Sequence, residues 1–255
     1  MVRDGIYQAM KRFYVPPDAI VDGVAYLEAD QARRLARVLR MKPGDEVIVF
    51  DGKTEFIARI ATIRSREATL EIVREIKPRS RAPFKMCLAP ALIKAPRMDM
   101  VIEKATELGV ERIIPVETAR SVPRPGPGRI ERWRKIAAGA ASQSGRNDIP
   151  VIERPGSFDK IVVDKADLKV LMWEGERKVG IERVLRKWKK IGKKPAQPEV
   201  MLMVGPEGGF TSEEAAMAFD EGWMSWGLGD AVLRAETASL AGAAILINAL
   251  AGRLG

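Results

Sequence analysis

The sequence predicts an α/β protein with a parallel sheet, preceded by a smaller β-rich module, and three observations carry that prediction. First, two short apolar runs, Val200–Val204 and Met224–Leu228, each end in a glycine-containing loop and lead into a helix-like segment. Strand-to-helix loops in succession are how an α/β sheet builds a ligand site at the carboxyl ends of its strands. Second, Glu46–Phe50 and Glu55–Ile60 are strand-like runs separated by Asp51-Gly52, the pattern of a hairpin. Third, residues 77–83, Lys-Pro-Arg-Ser-Arg-Ala-Pro, read as a proline-punctuated basic linker. The expected domains are therefore 1–76 and 84–255.

The first module gains a third alternating strand at Ala68–Val73 and a short helix at Asp30–Leu39, ahead of Lys42-Pro43-Gly44-Asp45. On an ideal helix Arg33, Arg37 and Arg40 share one face while Leu35 and Leu39 share another. Both a solvated basic face and an RNA contact fit that pattern.

After the linker, Phe84–Leu88 reads as a strand. Arg97–Leu108 follows as a helix closed by Gly109, with Met98, Val101, Ile102 and Ala105 on one side. Arg112–Val116 is the next strand. Ile130–Ser142 is a helix that points Trp133, Ile136, Ala137 and Ala140 to a core. It runs into Gln143-Ser144-Gly145-Arg146-Asn147-Asp148, whose donors and acceptors suit nucleotide edges and phosphates but also suit an ordinary polar loop. Leu168–Trp173 is a central strand, and Gly180–Ile191 a helix with Ile181, Leu185, Trp188 and Ile191 at core spacing. Arg177 to Lys194 holds nine basic residues and one acidic, a run usually explained as a solvated face.

The loop Gly205-Pro206-Glu207-Gly208-Gly209-Phe210 is built for close backbone approach. Gly208 and Gly209 tolerate positive φ, and Pro206 fixes the chain direction. Thr211-Ser212-Glu213-Glu214 reads as a capping box for a helix that stops at Gly222. From local chemistry alone a ligand loop and a tight turn remain equal readings. Neither G-x-x-x-x-G-K-[ST] nor G-x-G-x-x-G is present, which removes the usual nucleotide fingerprints. The last helix, Thr237–Leu254, is apolar almost all round, so burial on more than one side and a subunit interface are expected.

Composition narrows the function classes. Of 255 residues, 46% are hydrophobic and 30% charged, as in a soluble globular protein. Lys and Arg number 43 against 34 Asp and Glu, and the net charge of +9 favours a polyanionic partner. There is no histidine, which removes the commonest general base and metal ligand, so no metal site is expected. The single cysteine, Cys87, lies in an apolar run and reads as an inert core thiol of a reducing compartment. Met1–Tyr14 has no apolar signal core, and Ala238–Gly252 is broken by Ser239 and Asn248, so a cytoplasmic protein is expected.

The paired motifs Gly205–Phe210 and Leu228-Gly229-x-x-Val232-Leu233-Arg234-x-Glu236-Thr237 closely resemble the C-terminal signature of the RsmE family. Glu103-Lys104-Ala105-Thr106-Glu107-Leu108-Gly109-Val110, Gln143–Arg146, Arg12–Val15 and Val38–Arg40 extend the resemblance over most of the chain. These are SPOUT-class enzymes that methylate N3 of a uridine in small-subunit rRNA with S-adenosylmethionine. The resemblance implies a PUA-like RNA-binding barrel, a SPOUT domain with a C-terminal trefoil knot, and a homodimer formed through the last helix. It implies donor contacts at Met172, Gly205, Glu207, Gly208, Gly209, Leu228, Gly229, Val232 and Leu233. RNA contacts are expected at Arg12, Arg33, Arg37, Arg40, Arg146 and Asn147. Arg33-Arg34 stand where relatives commonly have histidine, and Ser142 where they often have glutamate.

Arg234 is the expected catalytic residue, stabilising the uridine anion or orienting its phosphate. An ion pair with Glu207 or Glu236 is the competing reading. Ribose 2′-oxygen methylation and a non-catalytic RNA-binding protein on the same fold are the competing functions.

Overall fold

The alternation between Glu46 and Ile76 folds into long antiparallel strands, and the apolar runs beyond residue 84 fold into a separate parallel sheet. The computed structural model describes residues 10–76, 82–191, 195–230 and 232–254. Two units emerge: 1–80 with 138–149, and 81–137 with 150–255. Of the expected linker, 77–81 lie outside the described residues. Residues 138–149, expected in the second domain, group with the first unit.

In the first unit β1 (Arg12–Tyr14), β2 (Ile20–Val21), β3 (Val24–Glu28), β4 (Glu46–Phe50), β5 (Glu55–Ile63) and β6 (Glu67–Ile76) form one sheet. Its order is β1-β4-β5-β6-β3-β2, with only the β1–β4 pair parallel. Phe13, Leu27, Val47, Val49, Ile60 and Leu70 fill the core. The expected Asp51-Gly52 hairpin is present as a four-residue loop. Asp51 pins it by accepting from the backbone N–H of Lys53 (2.8 Å) and Thr54 (2.7 Å).

The expected helix at 30–39 is only partly regular. Helix α1 (Ala29–Arg33) passes into a π-turn over Arg34–Val38, and Arg40 then adopts φ 53°. The expected division of sides is kept in burial: Arg33, Arg37 and Arg40 are exposed, while Leu35 is buried and Leu39 packs against the core. Arg33 pairs with Asp30, while the guanidinium of Arg34 lies 5.7 Å from the Phe13 ring centre.

The second unit is built from β7 (Lys85–Pro90), α2 (Ala95–Leu108), β8 (Arg112–Ile113), β9 (Val116–Glu117), α3 (Pro127–Ser144), β10 (Val151–Ile152) and β11 (Gly156–Ser157). There follow α4 (Phe158–Val162), β12 (Leu168–Met172), α5 (Ile181–Lys189), β13 (Glu199–Val204), α6 (Ser212–Asp220), β14 (Met224–Trp226) and α7 (Ala235–Leu254). The last seven residues of α3 belong to the first unit. Six strands pair in parallel in the order β10-β8-β7-β13-β12-β14, and β9 pairs β11 alongside. The strand expected over 112–116 divides in two, because Pro115 has no N–H to offer a ladder.

Both faces of the parallel sheet are covered, which is why its strands read as unbroken apolar runs. Cys87, Ala89, Leu171, Met201 and Met203 point to one face, against Phe158, Val162, Phe210, Ala218 and Trp223. Helices α2 and α7 cover the other. There Gly242 of α7 sits so close that a Cβ would come 2.3 Å from the Met172 sulfur and 3.1 Å from Leu202.

Helix ends follow the sequence signals. Gly109 closes α2 at φ 94°. The capping box of α6 is complete, with the Glu214 N–H on Thr211 Oγ1 (3.1 Å) and the Thr211 N–H on Glu214 Oε2 (2.9 Å). In α5 the buried residues are Val184, Leu185 and Trp188; Ile191 lies beyond the helix end at 55% exposure and is not core.

Only one side of α7 is buried within the chain, through Ser239, Ala243, Leu246 and Leu250, while Ile245 stands exposed opposite. By length and composition Ala235–Gly252 would suffice for a membrane span. That stretch begins three residues earlier than the apolar run taken from the sequence. Its buried stripe packs against α2, β7 and β13 instead.

Candidate functional site

The carboxyl ends of β12, β13 and β14 converge on one cleft of the second unit, with about 670 Å³ of empty space including its mouth. Each strand supplies a wall: Met172, Trp173 and Glu174 after β12; Val204, Gly205 and Pro206 after β13; Trp226, Gly227 and Leu228 after β14. Gly229, Asp230, Val232, Leu233 and the start of α7 close it. This is where an open parallel sheet binds ligands.

The walls are apolar side chains interleaved with backbone. Gly229 has φ 90°, and a Cβ there would meet nothing within 4 Å, so the loop leaves free space beside its backbone. Gly227 is the reverse case: a Cβ would lie 1.8 Å from the Glu176 carbonyl oxygen. The Gly227 N–H donates to the Val179 carbonyl at 3.1 Å, which closes the 173–179 segment over β14. Charged lining residues are Glu174, Glu176, Asp230 and Arg177, a net negative rim suited to a cationic ligand. Glu176 accepts from the N–H of Lys178 (2.9 Å) and Val179 (3.0 Å) and from Ser225 Oγ (2.9 Å). The Lys178 N–H above all holds its carboxyl below the ordinary range, opposed by desolvation and helped by Ser225, Val179 and Arg183.

Of the expected donor residues, Met172, Gly205, Leu228, Gly229, Val232 and Leu233 line this cleft. Glu207, Gly208 and Gly209 do not; they shape the loop behind Gly205. The Gly209 N–H donates to the Pro206 carbonyl at 3.0 Å, and a Cβ on Gly209 would collide with the Glu174 carboxylate. Gly208 presents its carbonyl to Arg120 Nη1 at 2.7 Å.

Glu207 is held by a residue the sequence reading did not single out. Arg97, in the first turn of α2, donates to Glu207 Oε1 at 2.9 Å and lies 3.5 Å from Glu236 Oε1. It thereby ties the loop after β13 to the first turn of α7. The competing ion-pair reading for Arg234 falls, because Arg97 takes both carboxylates. One sequence signal pointed to Arg97: a cation at a helix N-terminus opposes the macrodipole and calls for a tertiary partner. The Arg234 side chain is exposed beside the cleft rather than in its lining, and forms no ion pair among the described residues.

In the first unit Arg12 requires a correction. Its guanidinium is paired with buried Glu55, donates to the Arg146 carbonyl at 3.0 Å and lies 5.1 Å from the Phe50 ring centre. With 8% of the side chain exposed, it braces β1 and is closed to a phosphate. Arg146 pairs with Asp148 at 2.6 Å, and Asn147 Nδ2 donates to the Lys53 carbonyl at 3.3 Å. Arg33, Arg37 and Arg40 are exposed. No cluster of metal-ligating side chains occurs among the described residues.

Known proteins share this architecture. Residues 80–247 match the family described as an RNA methyltransferase domain, and residues 27–73 match an RNA methyltransferase PUA domain. The ribosomal RNA small subunit methyltransferase E of Synechocystis is 31% identical over 239 residues, covering 94% of this chain and 77% of the relative. Its counterpart in Bacillus subtilis is 28% identical over 225 residues, covering 84% and 86%. A methyltransferase of Legionella pneumophila solved with bound SAM superposes with a TM-score of 0.82 at 31% identity, covering 94% of this chain and 98% of the other. A ribosomal RNA small subunit methyltransferase E of Neisseria gonorrhoeae, bound to S-adenosyl methionine, does so at 0.81 and 30% over the same shares.

Proposed function

This chain belongs to the RsmE family of ribosomal RNA small subunit methyltransferases, and we propose that it methylates N3 of a uridine in that RNA. It is an S-adenosylmethionine-dependent rRNA methyltransferase; the choice of N3, the catalytic residue and the assembly are the finer parts of the proposal. The observation that carries it is the cleft at the ends of β12, β13 and β14, built from the two signature loops.

The cleft's residues fit the donor. Leu228, Val232 and Leu233 offer apolar surface to an adenine, the free space at Gly229 lets backbone approach a ribose, and the Glu174, Glu176 and Asp230 rim suits a sulfonium and an ammonium. When bound, the donor supplies an electrophilic methyl group. The remaining work is positioning and electrostatics. Arg234, exposed at the entrance to α7, stabilises the uracil anion, and the Arg97 clamp holds the two loops that frame the cleft.

In the proposed division of labour, the module of residues 1–76 binds RNA through exposed cations such as Arg33, Arg37 and Arg40, together with Arg146 and Asn147. The apolar outer face of α7, with Ile245 at its centre, is the proposed homodimer contact, and a C-terminal trefoil knot remains part of the reading. The cytoplasm is the proposed location. The test is mass mapping of methylated nucleosides in rRNA from a deletion strain, with and without complementation. Loss and recovery of 3-methyluridine supports the proposal; a methyl group lost from a ribose 2′-oxygen instead would sink the N3 assignment.

A further inference from the structure

Helix α5 carries a surface that folding does not use. Val184, Leu185 and Trp188 anchor it to the unit, and Trp188 Nε1 donates to the Asp167 carbonyl at 2.9 Å. Facing outward, Arg177, Lys178, Arg183, Arg186, Lys187, Lys189 and Lys190 are all exposed, against one acidic residue, Glu182. Several arginines elsewhere in the chain sit in ion pairs, among them Arg59, Arg112, Arg124 and Arg132. None of these seven cations reaches a carboxylate at ion-pair distance among the described residues. Unpaired like charges repel one another, so such a face is retained at a cost to stability.

Beside it lies a groove lined by Val179, Arg183, Lys187, Phe219, Trp223 and Met224. Phe219 is 38% exposed and packs edge-on against Trp173, with ring centres 5.7 Å apart. Trp173 is itself a wall of the donor cleft. The segment 173–179 therefore has the cleft on one side and the basic, aromatic groove on the other.

We propose that the α5 face and the Phe219 groove form a second RNA-binding surface, on the methyltransferase unit itself, which holds single-stranded RNA next to the donor cleft. Arg183 and Lys187 take phosphates, and Phe219 offers its exposed ring to a base. Cations with an interleaved aromatic are the composition of single-strand binding surfaces, and a polyanion complements a face whose cations outnumber the carboxylates near them. This rests on the rRNA methyltransferase reading and adds to it where the substrate strand runs.

The experiment measures binding of in vitro transcribed small-subunit rRNA by the full chain, over a salt series, for Arg183→Ala/Lys187→Ala and Phe219→Ala. The double variant should lower the magnitude of the salt slope by about 1.4, at about 0.7 for each lost phosphate contact. Phe219→Ala should weaken binding about 5- to 100-fold with the slope unchanged. The double variant should titrate S-adenosylmethionine and melt like the parent, while Phe219→Leu, which keeps apolar packing against Trp173, should share the RNA defect of Phe219→Ala and keep donor binding. Parental affinity and slope in all three variants would overturn the proposal, leaving the face to an acidic protein partner, while donor binding and methylation by the parent would still stand. A parent that neither binds the donor nor methylates rRNA would instead refute the reading beneath it.

Discussion

Gly227→Ala is the sharpest perturbation of the donor cleft. The added Cβ would sit 1.8 Å from the Glu176 carbonyl oxygen, where ordinary contact begins at 3.4 Å, so one wall must retreat by about 1.6 Å. The obstacle is backbone, and it cannot rotate aside. Glu176 is further fixed by its bonds to the Lys178 and Val179 N–H groups and to Ser225. Overpacking of this kind costs roughly 1–3 kcal/mol, and in a chain this long that lowers Tm by about 2–4 °C per kcal/mol. The displaced segment includes Trp173, Glu174 and Arg177 of the cleft, so donor affinity should fall at least about tenfold, the equivalent of 1.4 kcal/mol. Calorimetric titration with S-adenosylmethionine and a thermal melt read the two effects. Gly222→Ala is the control: Gly222 has positive φ, at 82°, and lies outside the cleft, so the change should lose stability and keep affinity. Parental affinity and Tm in Gly227→Ala would show that the 173–179 segment does not set the cleft's shape.

Other consequences are open to measurement. Arg97→Ala should cost about 1–2 kcal/mol in denaturant titration, between the values for surface and buried pairs, because Arg97 is 36% exposed while Glu236 is 10% exposed; a change below about 0.5 kcal/mol would remove its role as a clamp. Arg234→Ala should slow single-turnover methylation about a hundredfold to a thousandfold at saturating donor and RNA, with partial recovery in Arg234→Lys; an unchanged rate would leave Arg234 without a catalytic part. Burial pushes the Cys87 thiol from 9.0 up to about 12, so iodoacetamide should modify it at pH 8 only on unfolding. Between those values the folded state keeps a proton that the unfolded chain has lost, so this group's contribution to stability should decline as pH rises from 9.0 toward 12.

The parallel sheet was legible because buried strands announce themselves as short apolar runs: the expected Val200–Val204 and Leu168–Trp173 match strands within one residue at each end. Thr211, Glu214, Gly109 and Gly222 were legible because caps depend on local backbone geometry. The strands β2, β10 and β11, two residues each, were not, since two residues carry no period. The π-turn over Arg34–Val38 was not legible either, since nothing local signals it. In the cleft, glycines and apolar walls could be read from the loops, but Arg12 and Arg97 could not be sorted by residue type. A charge buried against Glu55 and a charge left for RNA look alike in a sequence. Partners 43 and 110 positions away decide which is which.

The strand order also has a consequence for synthesis on the ribosome. Strand β13 lies between β7 and β12, so β7, which ends at Pro90, waits for a neighbour that is complete only at Val204. At roughly 5–20 residues per second, those 114 residues take about 6–23 s. Throughout that interval Met86, Cys87 and Leu88 lack one of their two sheet neighbours, since β8 on the other side is made early and β13 is not, and non-local pairing of this kind folds slowly. Cys87 then serves as the chain's own reporter: on stalled nascent chains its thiol should stay open to alkylation until β13 has emerged, and should close once β13 is in place.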